Sequence, residues 1–282
     1  MATLIDTDAP VELVPEKLYR LGGTVPMDGR LSWVPASWQG PDSRLHEALN
    51  SYLLIEGDRA MLVDSGVTVH REAIVAQIAS VLGERKLEVF LTRFEPDCLV
   101  NLPHLVKRFG VEEVHGGGVS NPFDFFDDLS TSEQLRADAG VTLHRKLPGD
   151  AVVVGEGREL SLVATTIRLL TTFWAYDDGT KTLFTSDAFG HVAVAESGGQ
   201  TFVDDANDPT TFENVRDHLF TKFDWLLGAE TGPLREDMAK IFAKYDVQRI
   251  APTHGGTIVG KATVAKHVAW VDKALSEVVV PD

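Results

Sequence analysis

A layered α/β architecture follows from two regularities of the 282-residue chain. Short runs of β-branched and large apolar residues recur, each ending on a polar residue followed by a glycine-containing or acidic loop. Stretches with helical apolar spacing separate these runs. Buried strands that alternate with helices need those helices on the faces of a sheet. Functional residues then gather at the carboxyl ends of the strands, where loops leave the sheet.

The first such strand is Ala60-Met61-Leu62-Val63, ending at Asp64 and followed by Ser65-Gly66. An amphipathic helix is predicted over residues 70–82, with Ile74, Ile78 and Val81 on one face. The run LEVFLT, residues 87–92, is the next strand; it ends at Arg93, ahead of Phe94-Glu95-Pro96-Asp97-Cys98. A helix over 97–109 follows and stops at Gly110, a residue suited to the left-handed cap. The stretch 116–128 is glycine-rich, then aromatic and acidic. It reads either as a mobile loop near a site or as a surface connection packing its phenylalanines on the body. Thr182-Leu183-Phe184-Thr185 is a third strand, ending at Ser186-Asp187. Phe212, Val215, Leu219, Phe223 and Leu226 form a stripe that predicts a long helix over 211–227. Further helices are expected over 237–245 and 263–275, and between them QRIAP, residues 248–252, is a fourth strand ending at Thr253-His254-Gly255-Gly256. Residues 26–39 form a long N-terminal loop whose Trp33 and Trp38 suit a core or an interface. Nothing reads as a linker, so a single domain over 1–282 is expected.

The net charge is −16, from 26 basic and 42 acidic residues. Such a surface repels phosphate backbones and anionic lipid, so neither nucleic acid nor membrane is an expected partner. Cys98 is the only cysteine, which precludes an intrachain disulfide. The start MATLIDTDAP has neither the basic end nor the apolar run of a signal peptide. No apolar stretch is long enough to span a bilayer, and a cytoplasmic protein is expected.

The strand ends deliver Asp64, then Arg93, Glu95, Asp97 and Cys98, then Asp187, then His254. Carboxylates and a histidine converging at one end of a sheet are the donors that a hard or borderline divalent metal needs.

The words MLVDSG, LTRFEPD, LFTSDAFG and APTHGG resemble the metallo-β-lactamase superfamily. More narrowly, the chain resembles the diiron domain of flavodiiron proteins and the stand-alone oxygen-binding diiron proteins. The narrower likeness rests on the spacing HxExDH after the second strand, on SDAFG, and on the long helix before APTHGG; it runs from about Asn50 to Thr257. The resemblance implies a metallo-β-lactamase-type αββα sandwich. It also implies a ligand set, which carries over unevenly. The HxExDH word falls on Arg93-Phe94-Glu95-Pro96-Asp97-Cys98: the acidic members are kept, and Arg93 and Cys98 stand for the two histidines. The bridging carboxylate falls on Asp187 and the final histidine on His254. The family's other histidine, nineteen residues before the bridging carboxylate, falls on Arg168. Val100 stands where the family has a glycine. The chain ends at Asp282, so no flavodoxin domain and no FMN are expected.

By this carry-over the first metal's set becomes Arg93, Glu95, Arg168 and Asp187. Arginine stays protonated and offers no lone pair. Two guanidiniums carry the charge of one divalent ion, so Arg93 and Arg168 are expected to replace that ion and pair with the carboxylates. The second set, Asp97, Asp187 and His254 with Cys98 as a possible fourth ligand, suits at most one zinc or iron, or none. Cys98 reads either as a small apolar filler or as a reactive thiol whose pKa is lowered by a helix N-terminus and nearby arginines.

Three functions stay open. The first is a degenerate relative, not an oxygen or nitric oxide reductase, that binds a small anionic molecule at Arg93, Arg168 and Glu95 or serves regulation. The second is a mononuclear hydrolase of an ester, thioester or lactone, with the metal on Asp97, Asp187 and His254 and water oriented by Asp64 or Asp187. The third is metal-free chemistry with Cys98 as nucleophile and His254 as base. The resemblance also implies a homodimer, for which Trp33, Trp38, Phe123, Phe125 and Phe126 would suit the interface.

Overall fold

The structure, a computed structural model, describes residues 9–29, 42–117, 121–125, 140–196 and 199–279. Its described strands form two seven-stranded sheets. The first sheet runs in chain order through β1 (Val11–Val14), β2 (Leu18–Pro26), β3 (His46–Glu56), β4 (Arg59–Val63), β5 (Lys86–Leu91), β6 (Glu113–Gly116) and β7 (Thr142–Arg145). It is antiparallel from β1 to β4 and parallel from β4 to β7. The second sheet contains β8 (Ala151–Val154), β9 (Arg158–Ala164), β10 (Phe173–Asp177), β11 (Thr182–Ser186), β12 (Phe202–Val203), β13 (Arg249–Pro252) and β14 (Thr257–Val259). Its order is β12-β14-β13-β11-β10-β9-β8, with β11 and β13 parallel.

The helices are α1 (Arg71–Leu82), α2 (Pro96–Leu99), α3 (Leu102–Phe109), α4 (Phe212–Lys222), α5 (Gly232–Lys244) and α6 (Lys261–Ser276). Strand alternation decides where each apolar residue goes. Leu62 and Val89 face α1 and α3, where they pack with Ile74, Ile78, Leu102 and Leu105. Met61, Val63 and Phe90 face the second sheet and meet Leu162, Phe184 and Ala251. On the far side Leu183 and Ile250 pack against Val215, Met238, Ile241 and Val271 of α4, α5 and α6. Helices, sheet, sheet, helices is the αββα sandwich that the sequence predicts.

The predicted strands before Asp64, Arg93, Asp187 and His254 are all present. Two predicted helices are interrupted. The helix expected over 97–109 is α2 and α3, separated at Val100-Asn101, and each carries a proline in its first turn. Proline's missing N–H is harmless there and pre-sets the entry of each helix. The stripe expected over 211–227 is α4 followed by a 3₁₀ turn, Asp224–Gly228. Among the described residues no helix is long and apolar enough to cross a membrane. Phe123 is fully buried in the layer of α1 and α3, so it packs on the body rather than offering itself to a partner. Trp33, Trp38, the Phe125 side chain and Phe126 lie outside the described residues.

Candidate metal centre and its internal cations

Every strand identified above as a carrier ends on the same side of the sandwich. Directly after β4 comes Asp64, which is buried and holds a positive φ of 60°. Its carboxylate accepts bonds from Thr92 N (2.8 Å), Thr92 Oγ1 (2.8 Å) and Thr253 Oγ1 (3.1 Å). Asp64 therefore ties together the ends of β4, β5 and β13. Burial raises its pKa to about 6, against the opposing pull of Arg93 and the Thr92 bonds. Both of its carboxylate oxygens accept bonds from threonines, so Asp64 serves as a strut between these strand ends.

Arg93, after β5, is 2% exposed. Its Nε donates to Glu95, its Nη2 to Asp97, and its Nη1 to Ser186 Oγ at 2.5 Å. Nη2 also lies 3.1 Å from Asp187 Oδ1. The turn that presents Asp187 runs through the left-handed region at Ser186 (φ 55°) and Phe189 (φ 67°). Such backbone is roughly 1–3 kcal/mol unfavourable per residue and persists where the surroundings hold it. Lys222, the last residue of α4, sets its Nζ 2.8 Å from the same Asp187 Oδ1. Burial works to raise the Asp187 pKa, but Arg93 and Lys222 hold it below the usual carboxylate value.

His254 follows β13 and is held beside β3 by a bridge to Leu49. Its Nε2 lies 2.7 Å from Asp97 Oδ2 and its Nδ1 3.2 Å from Glu47 Oε1. Burial alone would lower its pKa, but the bonds to Asp97 and Glu47 raise it to about 9, so at neutral pH both nitrogens donate. Burial likewise opposes ionisation of Asp97, yet Arg93 and His254 hold its carboxyl well below the ordinary range. Gly255 has φ +79°, and a Cβ there would stand 2.3 Å from Gly190 O. Only glycine lets the two loops pass backbone to backbone. Among the described residues, Asp97, Asp187 and His254 each offer a ligand atom within 4.8 Å of the others.

A family model described as "ODP family beta lactamase" matches residues 48–255. The chain belongs to this family. No curated protein sequence matches it. Its structure is similar to that of the flavodiiron core from Synechocystis sp., at 20% identity and a TM-score of 0.65, covering 98% of this chain and 62% of that one. A fragment of a diflavin flavoprotein from Nostoc sp. gives 19% identity and a TM-score of 0.66, covering 97% of this chain and 98% of the fragment. Rubredoxin oxygen:oxidoreductase from Desulfovibrio gigas gives 14% and 0.62, with 94% of this chain and 61% of that one. The chain thus spans about three fifths of the length of the Synechocystis and Desulfovibrio proteins. At these identities the likeness establishes the fold alone.

In this ODP family beta lactamase the structure brings Arg93, Glu95, Asp97, Asp187 and His254 together but leaves Arg168 out. Arg168 is exposed, in the loop between β9 and β10, and makes no ion pair among the described residues. The expectation that Arg168 pairs with the carboxylates of the site is not met, and the cation beside Asp187 other than Arg93 is Lys222. Cys98 is fully buried, and burial, against the opposing pull of Arg93, pushes its thiol well above the ordinary value. Its sulfur meets Thr92 Oγ1 at 3.8 Å, and it is absent from the group of potential ligands. The nitrogens of His254 lie against the carboxylates of Glu47 and Asp97 rather than against this thiol. Arg93 also turns inward, with its side chain 1% exposed.

Sequence reasoning missed Glu47 and Lys222. Lys222 carried a signal: with Val215, His218 and Leu219 it completes an i, i+3, i+4, i+7 stripe, and those three are buried. A lysine on the apolar stripe of a helix needs a buried anionic partner. Glu47 sits in β3, where nine consecutive residues are buried and no alternation marks one face.

Proposed function

We propose that this protein is a flavodiiron-like member of its family that works without a dinuclear metal centre. It acts as a small-molecule-binding or regulatory module and not as an oxygen or nitric oxide reductase. One observation carries the reading: the Arg93 guanidinium lies between Asp97 and Asp187, the carboxylates that the resemblance assigns to the metal ions. A guanidinium has no lone pair to give a metal and repels one. Protein cations already hold both carboxylates, so the donor set does not fit a pair of ions. Of the network, Glu95 is the most open, with its side chain 31% exposed. An entering ligand meets a carboxylate first, which favours a neutral or cationic molecule over an anionic one.

The test is metal content per chain on protein purified without chelator, with anomalous scattering to place any ion. No metal in the site is the expected result, and two ions per chain would overturn the reading. The proximity of Asp97, Asp187 and His254 favours one alternative, a mononuclear hydrolase. One zinc or iron on these three residues, together with ester, thioester or lactone hydrolysis lost on chelation, would establish it.

A further inference from the structure

We infer that Lys222 and Arg93 form a resident cation pair that shares one oxygen of Asp187 and supplies the positive charge of this site from the protein itself. The inference rests on the metal-free reading above and names the second cation. Lys222 Nζ and Arg93 Nη2 lie 2.8 and 3.1 Å from the same atom, Asp187 Oδ1. The three side chains are 16%, 1% and 6% exposed, so solvent screens them little. Stripping an ammonium of water is costly and persists only against well-placed anions. Asp187 is that anion, and Asp97, bound to both Arg93 and His254, is the second.

The helix dictates the arrangement. Lys222 is the last residue of α4, where the helix dipole favours a cation. Its position on the buried stripe with Val215, His218 and Leu219 directs the side chain inward. At the other end Thr211 caps the helix in a box with Asn214, which fixes where the first turn begins. Arg93 approaches from the opposite sheet. The shared oxygen thus clamps α4 and the turn after β11 to the β5 loop, a role that a metal ion could otherwise fill.

The test uses Lys222→Met, which keeps most of the apolar stem and removes the charge, and Lys222→Arg, which keeps the charge. Thermal melts and equilibrium dialysis against zinc are run on both variants and on the wild type. Lys222→Met is expected to melt about 5 °C or more below wild type without zinc. It should take up about one zinc per chain, which restores part of the loss. Lys222→Arg is expected to bind none and to melt closer to wild type. A Lys222→Met protein that melts as wild type does and binds no more zinc would overturn the inference and leave the metal-free reading standing. Two zinc ions on the wild type would instead remove both. If Lys222→Met does not fold, Asp187→Asn is compared with Asp187→Asn/Lys222→Met. The double variant should melt no lower than the single one, and a further large drop would overturn the pairing.

Discussion

Arg93 shows how one buried cation organises a site. Its guanidinium donates to Glu95, Asp97 and Ser186 and lies 3.1 Å from Asp187 Oδ1, with 2% of the residue exposed. Removing it leaves buried carboxylates facing one another, so Arg93→Ala should lower stability by about 3–5 kcal/mol in urea denaturation. His218 makes a second residue-level prediction. Burial, reinforced by Lys222 and His254 and opposed by Glu47, lowers its pKa to about 4. The folded value lies below the unfolded one, so the unfolded chain binds the extra proton first. The stability from keeping His218 neutral is present above about pH 6.5 and is lost as pH falls towards 4. The loss is on the order of 3 kcal/mol, and His218→Asn should flatten this part of a melt-against-pH curve. Cys98, buried with a raised pKa, should react with iodoacetamide in the native protein more slowly than free cysteine does.

At the scale of elements, the break between α2 and α3 has a purpose that neither helix shows alone. Asn101 sits in the break and donates from Nδ2 to the carbonyls of Ser65, Gly66 and Val67, at 2.9, 3.0 and 3.1 Å. Its Oδ1 accepts from Arg71 Nε at 2.9 Å, and its own N–H donates to Ser65 Oγ at 3.1 Å. The side chain therefore stitches the loop after β4 to the segment that carries Glu95 and Asp97. Asn101→Ala strands several buried groups and should cost about 1–3 kcal/mol, measurable as a lowered urea midpoint.

Over the whole molecule, polar ties join the two sheets at both ends of the sandwich. At the site end Asn50 Nδ2 donates to Pro252 O (2.8 Å) and Gly255 O (2.7 Å), and Tyr52 Oη to Pro252 O (2.8 Å). These bonds set β3 against β13 and so fix the distance between Glu47 and His254. Elsewhere Arg158 of β9 pairs with Asp177 of β10 through Nε (2.8 Å) and Nη2 (2.5 Å), and its Nη1 reaches Ile55 O of β3 at 2.9 Å. Asp177 is fully buried, so Asp177→Asn leaves Arg158 underpaired in the interior. A loss of about 3–5 kcal/mol in urea denaturation is expected.

The chain's own order determined the layered fold and the strand ends bearing Asp64, Arg93, Asp187 and His254. These follow from local patterns, since a strand's end and the residue just after it are fixed along the chain. Tertiary structure alone decided which cation meets Asp187. Arg168 lies at the right sequence distance, but the β9–β10 loop leaves it in solvent, while α4 brings Lys222 from thirty-five positions away. It also decided that Cys98 is sealed within the core, that Glu47 faces His254, and that β2 pairs along its whole length with β3. Each of these depends on how separate layers approach one another, and a contact made across layers leaves no periodic trace in the sequence of either partner.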